Sequence, residues 1–164
     1  MDIVLARNDD LDEALRIVRA CAAGLRAMGL DQWDELYPSR EILEADIADG
    51  SLYIMKEGER VLALAALDAH QDPAYADVNW AFDHPRIVSI HRLSVDPAAQ
   101  GRGLAKRMMD FLEAEAAALG YGAIRLDAYC ENPAALGLYE KRGYRRSGMV
   151  RLRKGLFVCF EKRL

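Results

Sequence analysis

The amino-acid sequence predicts a mixed α/β fold, a central mixed sheet of about seven strands flanked by about four helices. Segments with the period of a strand alternate with segments with the period of a helix along the chain. A glycine-bearing turn at Gly101 follows a strand-like run and leads into an amphipathic helix. The length of 164 residues and the 52% of apolar residues predict one globular domain over residues 1–164.

The first half of the chain is predicted to fold into short strands and two amphipathic helices. In order, the elements are a strand over 2–6, a helix from Asp9 or Asp10 to about Ala27, a helix from Ser39 to about Gly50, and strands over 52–55 and 61–67 joined by a turn at 56–59. Leu11, Leu15, Val18 and Leu25 share the buried side of the first helix. An aspartate before the first helix and Ser39 before the second are expected N-caps.

The second half begins with residues 68–86, which have no periodicity and form a predicted long loop of the kind that is often functional. The elements that follow are a strand over 87–95, a helix over 102–119, a strand over 123–129, a short helix over 133–142, and strands over 144–152 and 156–161. The helix over 102–119 should join its two flanking strands as a parallel pair, with a right-handed crossover.

Charge and composition exclude several classes of protein. The net charge of −4 argues against nucleic acid as a partner, because phosphate-backbone binding needs a basic surplus. No run approaches the roughly eighteen apolar residues of a membrane helix, and the charged N-terminus does not resemble a secretory signal. The three cysteines are too few and scattered for a disulfide framework or a metal site. We therefore expect a cytoplasmic protein with no metal.

The segment from Gln100 to Ala105 reads Gln-Gly-Arg-Gly-Leu-Ala and precedes a helix. A glycine turn at a helix start leaves several backbone N–H groups unpaired at the positive end of the helix dipole. Such a turn can hold phosphate oxygens. The chain lacks the P-loop pattern, and Gly101-x-Gly103 lacks the third small residue of a dinucleotide-binding turn.

A second segment runs from Asn132 to Tyr144 and ends in Leu-Tyr-Glu-Lys-Arg-Gly-Tyr. With both segments in this order, the chain resembles the GNAT superfamily of acyl-CoA-dependent N-acyltransferases. The family's phosphate motif, Gln/Arg-x-x-Gly-x-Gly/Ala, is met by Gln100, Gly103 and Ala105. The family's later motif, an asparagine followed by a short helix and Leu-Tyr-Glu-Lys-x-Gly-Phe/Tyr, is met by Asn132 and residues 138–144.

The resemblance implies an N-acetyltransferase that moves an acetyl group from acetyl-CoA to a primary amine by direct attack. The acceptor would be a small-molecule amine or a peptide N-terminus, and a homodimer is compatible with the family. In that fold the fourth and fifth strands splay apart around the acyl-pantetheine arm. The implied coenzyme-binding residues are Leu93, Ser94, Val95, Gln100, Gly101, Arg102, Gly103, Leu104, Ala105, Lys106, Asn132 and Tyr139.

By the same resemblance, Tyr139 is the proton donor to the coenzyme A sulfur. A phenol with a pKa of about 10 stays protonated at neutral pH and can deliver a proton as charge builds on sulfur. The alternative is that Tyr139 only packs against Leu136. Asn132 has two readings as well, a pantetheine contact or simply the N-cap of a helix with Pro133 at its first position.

The general base is left open by the sequence, with Asp127 and His91 as candidates. Some family members place a glutamate at the position of Asp127, but Asp127 could instead pair with Arg125 two residues back. The unperturbed pKa of histidine, about 6.5, suits proton abstraction, but His91 could equally be a core residue. Many GNAT members carry a glutamate on this fourth strand, and this chain does not.

Three cations, Arg102, Lys106 and Arg107, lie where the helix dipole disfavours positive charge. The coenzyme's phosphates would supply the missing anions. The alternative is a solvated helix face on which Lys106 pairs with Asp110.

The acceptor is not identified by the sequence. Trp33 and Trp80 could line its pocket and contact a cationic amine, or they could close the core beneath long loops. A binding module that retains coenzyme A without turnover, as an acyl-CoA sensor or scaffold, is the main alternative to an enzyme. An aminoacyl-tRNA-directed toxin of the same fold is disfavoured by the negative charge.

Overall fold

The computed structural model describes residues 1–164 and confirms the predicted order of elements. Its helices are α1 (Leu11–Ala27), α2 (Arg40–Ala48), α3 (Leu104–Ala118) and α4 (Pro133–Lys141). Its strands are β1 (Asp2–Leu5), β2 (Leu52–Glu57), β3 (Arg60–Asp68), β4 (Ile87–Val95), β5 (Ala123–Tyr129), β6 (Arg145–Leu152) and β7 (Gly155–Arg163). None of the helices is both long and apolar enough to span a bilayer.

The seven strands form one mixed sheet in the order β1-β2-β3-β4-β5-β7-β6. The β1–β2, β2–β3, β5–β7 and β6–β7 pairs are antiparallel. The β4–β5 pair is parallel, and its register covers Ile87–Ser89 against Ala123–Arg125. Because this pairing ends early in both strands, it agrees with the predicted splay of the fourth and fifth strands.

The chain divides into two compact units, the first of which comprises residues 1–67 and 91–112. Its hydrophobic core is built where α1 packs on the early strands. Leu15 and Val18 are buried there, and Leu11 and Leu25 pack against the same cluster, as the period of the helix predicted. The strands contribute apolar side chains such as Leu52, Ile54, Val61 and Leu64.

The second unit comprises residues 68–90 and 113–164. Its core includes side chains from β6 and β7 and from the segment that was predicted as a plain loop. That segment, residues 68–86, carries a 3-10 helix over Pro73–Asp77, which Asp72 caps by accepting a hydrogen bond of 2.9 Å from the Ala74 N–H. Tyr75 and Val78 point into the core. A single turn of 3-10 helix is too short to produce a detectable period.

The predicted caps and turns are confirmed in part. Ser39 Oγ accepts a hydrogen bond of 3.4 Å from the Ile42 N–H and caps α2. Of the two aspartates predicted as caps of α1, Asp10 occupies the N-cap position, but its side chain makes no capping hydrogen bond to the helix. Its carboxylate instead accepts from the Arg7 N–H at 2.9 Å and from Lys56 Nζ at 2.7 Å. The β2–β3 turn is tighter than predicted, with Gly58 at φ 62°.

Candidate active site

The glycine turn lies in the first unit, after a short 3-10 helix over Pro97–Ala99. Gly101 and Gly103 adopt φ values of 80° and 72°, which favour glycine. A Cβ built on either residue meets no atom within 4 Å, so a side chain there would project into open space. The backbone N–H groups of Gly101, Arg102 and Gly103 donate to no other residue. Helix α3 starts at Leu104, slightly later than predicted.

The cations of this region all have partners at the surface. Arg102 pairs with Glu57 Oε1 at 3.1 Å, and Arg107 Nη2 donates to the Met1 carbonyl at 2.6 Å. Lys106 pairs with Asp110 at 2.8 Å, which is the predicted i,i+4 contact. Exposed ion pairs such as those of Arg102 and Lys106 stabilise a protein by about 0–1 kcal/mol each, so a phosphate could displace their carboxylates.

The chain leaving β4 is held by Asp96, a buried residue that sequence reasoning missed. Its carboxylate pairs with Arg16 at 3.1 Å and Arg60 at 2.9 Å, and it accepts a hydrogen bond of 3.0 Å from the Ala98 N–H. Burial by itself raises the pKa of Asp96, but the hydrogen bonds from Arg60, Ala98 and Arg16 outweigh it and leave the pKa lowered. Asp96 therefore remains ionised and fixes the start of the glycine turn.

In the last part of β4, Arg92 has φ 58° and is the only non-glycine residue with a positive φ. Its guanidinium donates to Asp46 Oδ1 on α2 at 2.7 Å and to the Tyr37 hydroxyl at 3.2 Å. The left-handed backbone held by this buried network lies immediately before Leu93. The sequence offered no signal for this pair, because Asp46 and Arg92 each have other polar residues close by along the chain.

The other predicted residues of this unit occupy varied environments. His91, Leu93 and Val95 are half-buried, whereas Ser94 is buried. The Val95 carbonyl, one of the expected pantetheine partners, accepts a hydrogen bond of 3.2 Å from Cys21 Sγ. Trp33 is buried in the core of the first unit, which favours the packing interpretation over an acceptor contact.

Tyr139 lies on α4 in the second unit and is only 7% exposed. Its ring packs against Tyr144 and Phe160, with centroid distances of 5.8 and 5.7 Å. The hydroxyl makes no hydrogen bond to another residue. Burial raises the pKa of Tyr139, and the negative charge of Asp127 raises it further. The side chain is therefore a phenol that holds its proton and has no partner in the protein.

Helix α4 begins and ends as the sequence predicted. Asn132 Oδ1 accepts a hydrogen bond of 3.1 Å from the Ala135 N–H, with Pro133 at the first helical position. Gly143 follows the last turn at φ 80°. Local capping thus fixes the ends of the helix that presents Tyr139.

Asp127, on β5, accepts a hydrogen bond of 2.7 Å from the Tyr75 hydroxyl. The ion pair between Asp127 and Arg125, which was the alternative to a catalytic role for Asp127, is not formed. Arg125 instead donates to Gln71 Oε1 at 2.9 Å and to the Phe82 carbonyl at 3.2 Å, and its guanidinium lies 4.4 Å from the centre of the Trp80 ring. Trp80 is half-buried between Tyr75 of the same segment and Arg125 on β5.

Glu161, on β7, is fully buried and was not anticipated. Its carboxylate accepts hydrogen bonds from the Ala81 N–H at 2.6 Å, the Phe82 N–H at 3.1 Å and Ser147 Oγ at 2.9 Å. Glu161 therefore holds the later part of the 68–86 segment. A carboxylate that directly follows the apolar run 156–160 within β7 is the signal that could have revealed this anchor.

No group of three or more His, Cys, Asp or Glu side chains is arranged to hold a metal ion. Residues 18–144, more than half of the chain, match the model of the acetyltransferase (GNAT) family. The protein belongs to the GNAT family. The match covers the glycine turn and the Asn132–Tyr144 segment of this GNAT protein.

Solved structures of acetyltransferases share the fold of the GNAT protein. A GNAT-family acetyltransferase of Streptococcus agalactiae is 25% identical, with a TM-score of 0.86 over 99% of this chain and 95% of that chain. A ribosomal-protein-alanine N-acetyltransferase from Brucella melitensis is 19% identical, with a TM-score of 0.75 over 100% of both chains. The PaiA N-acetyltransferase from Thermoplasma acidophilum, solved with coenzyme A, is 14% identical, with a TM-score of 0.74 over 99% of this chain and 98% of that chain.

Proposed function

We propose that this GNAT protein is an acetyl-CoA-dependent N-acetyltransferase that acts on a primary amine by direct attack on the thioester. The observation that carries the proposal is Tyr139, a buried tyrosine whose hydroxyl has no partner in the protein and which stands in the family's Leu-Tyr-Glu-Lys motif. A pure packing role would explain the buried ring. The hydroxyl oxygen is not one of the fully buried polar atoms that lack a partner, so it is reached by solvent and is available to a ligand.

The first unit would supply the coenzyme-binding backbone. The amides from Gly101 to Ala105 would receive the pyrophosphate, and the φ values of both glycines and the open space above them suit a close approach of phosphate. Gln100, Arg102 and Lys106 would add polar contacts, and Leu93–Val95 would pair with the pantetheine amides like an added strand. Asn132 would contact the pantetheine while capping α4.

The chemistry needs a neutral amine and a protonated leaving group. A base takes one proton from the ammonium form of the acceptor. The amine nitrogen then bonds to the acyl carbon, the carbon–sulfur bond breaks, and Tyr139 gives its proton to sulfur. The attacking nitrogen loses its surplus proton, which restores the phenol. The products are the N-acetylated amine and coenzyme A, and one proton passes to solvent.

Asp127 is our candidate base, with His91 as the competing one. Asp127 is preferred because it lies on β5 twelve residues before Tyr139, at the spacing at which some family members carry a glutamate base. Asp127→Asn and His91→Gln, made separately, distinguish the two candidate bases. Replacing the residue that acts as the base should lower turnover and leave the affinity for acetyl-CoA unchanged.

The test is coenzyme A thiol release from acetyl-CoA across a panel of amines, with Tyr139→Phe as the matched variant. The panel holds polyamines, amino acids, aminoglycosides and peptides with free N-termini, including N-terminal alanine because the Brucella relative is named for that acceptor. Tyr139→Phe should lower turnover on the order of 10²-fold and leave acetyl-CoA binding unchanged. Equal turnover in the variant would refute the acid role.

An acyl-CoA sensor that binds the coenzyme without turnover is the second candidate. The absence of the family's common glutamate at His91–Arg92 favours it. Acetyl-CoA binding with no thiol release from any amine in the panel would replace the enzyme proposal with this one.

A further inference from the structure

The Tyr75 hydroxyl donates a short hydrogen bond of 2.7 Å to Asp127 Oδ2. Tyr75 is buried, and burial together with the charge of Asp127 raises its pKa well above the ordinary range. The hydroxyl therefore keeps its proton and acts as the donor. Hydrogen bonds to a charged acceptor are roughly twice as strong as those between neutral groups, so Tyr75 selects one orientation of the carboxylate.

Tyr75 is itself held by the surrounding 68–86 segment. Trp80 Nε1 donates to the Tyr75 carbonyl at 2.9 Å, and the two rings lie 5.2 Å apart. Arg125 covers the Trp80 ring, and the buried Glu161 carboxylate accepts the next two amides of the segment. The 68–86 segment is thus anchored at several points, and its one tyrosine donates a hydrogen bond to the candidate base.

Other titratable groups face Asp127 from the elements around it. Cys159 is its register partner on β7, and burial, followed by the charges of Asp127 and Asp72, raises the Cys159 pKa to about 12. Tyr139 on α4 senses the same carboxylate. Tyr75, Cys159 and Tyr139 are all uncharged at neutral pH, and the Tyr75 hydroxyl donates its hydrogen bond to Oδ2.

We propose that Tyr75 is a positioning residue for acetyl transfer, whose hydroxyl fixes the orientation and charge of the Asp127 carboxylate that takes the acceptor's proton. This inference rests on the proposed function. The ammonium N–H bond breaks, its proton moves to an Asp127 oxygen, and water removes that proton after turnover. A carboxylate has about four acceptor positions, so the bond from Tyr75 is compatible with a second contact to the amine.

Tyr75→Phe is the variant that tests this, because it removes the hydroxyl and keeps the ring against Trp80 and the backbone bond to the Trp80 indole. We expect acetyl-CoA affinity to be unchanged and kcat/KM for the amine to fall about tenfold. The acid-side midpoint of the pH profile should rise by about one pH unit, since a donor to the ionised form is lost. Tyr129→Phe, which removes a β5 hydroxyl bonded to Glu131 at 3.4 Å, is the matched control and should change neither quantity.

The double variant decides whether Tyr75 acts through Asp127. In an Asp127→Asn background, Tyr75→Phe should cause no further loss of kcat. If the fold losses of kcat in the two single variants multiply in the double variant, the proposal is overturned. An unchanged pH profile in Tyr75→Phe alone would also overturn it.

A carboxyl ¹³C titration of Asp127 separates this inference from the proposed function, because it requires no activity. The Asp127 midpoint should rise in Tyr75→Phe. An unchanged midpoint overturns the role of Tyr75. If the Asp127 midpoint rises in Tyr75→Phe but the wild-type protein acetylates no amine, the proposed function is overturned. Tyr75 would then only stabilise the charge of Asp127.

Discussion

Arg92 holds a left-handed backbone conformation within a strand, at φ 58°. For a residue with a side chain this conformation costs about 1–2 kcal/mol. The hydrogen bonds to Asp46 and Tyr37 offset that cost, and they place a buried ion pair beside the strand that is proposed to bind pantetheine. The side chains of Arg92 and Asp46 are only 9% and 11% exposed, so neither charge can be solvated without its partner.

Asp46→Ala should therefore lower the free energy of unfolding by about 3 kcal/mol, because it leaves a buried guanidinium unpaired. Urea unfolding followed by circular dichroism measures this loss. Asp12→Ala is the control, since Asp12 pairs with Arg40 at the surface and its loss should change the free energy of unfolding much less. Equal losses in the two variants would show that burial does not strengthen the Asp46–Arg92 pair.

The turn between β4 and α3 is the element on which coenzyme binding depends in the proposed function. Its two glycines adopt left-handed φ values, and their Cβ positions are open. A side chain at Gly103 would therefore strain the backbone without colliding with the protein, and it would occupy the space proposed for phosphate. A side chain placed on another glycine with a left-handed φ, away from the proposed phosphate site, should cause the same backbone strain without affecting coenzyme binding.

Gly103→Val should abolish acetyl-CoA binding in isothermal titration calorimetry. Gly58→Val in the β2–β3 turn is the matched control, because Gly58 has φ 62° and an equally open Cβ position. Both variants should lose similar stability, of about 1 kcal/mol or more. If the Gly103 variant binds acetyl-CoA as tightly as the Gly58 variant, the phosphate site lies elsewhere.

At the scale of the whole molecule, paired carboxylates connect elements that are distant in sequence. Glu113 on α3 binds Arg142 after α4 at 3.0 Å and Lys162 on β7 at 2.8 Å. Burial alone raises the pKa of Glu113, but the hydrogen bonds and charges of these two cations outweigh it, so the pKa is lowered on folding. Asp10 and Asp96 also have lowered pKa values.

These shifts predict loss of stability in acid. Because the folded-state pKa values lie below those of the unfolded chain, the unfolded state binds more protons between them. The stabilisation is complete above about pH 4.5 and is lost as the pH falls through the folded-state values. Urea unfolding between pH 3 and pH 7 measures it. Glu113→Gln should make the free energy of unfolding fall less steeply as the pH is lowered. Glu59→Gln, at the exposed β2–β3 turn, should leave this pH dependence unchanged. If both variants show the same pH dependence, Glu113 does not contribute to the loss of stability in acid.

The sequence by itself determined the order of elements, the glycine turn and the ends of α4. These features depend on neighbours along the chain. Asn132 accepts a hydrogen bond from the amide three residues later, and Gly143 ends the helix because it adopts a left-handed φ. The two family motifs are local for the same reason. A pattern of adjacent residues was therefore sufficient to identify the family, later matched over residues 18–144.

Only the tertiary structure decided which distant side chains meet. Tyr75 and Asp127 are 52 residues apart, Asp46 and Arg92 are 46 apart, and Glu161 reaches an amide 80 residues earlier. The sequence placed Asp127 beside Arg125 on one face of a strand, yet Arg125 turns to Trp80 and Phe82 instead. Spacing along a strand limits which partners are within reach, whereas burial and the competing hydrogen bonds of segments packed from elsewhere in the chain select among them.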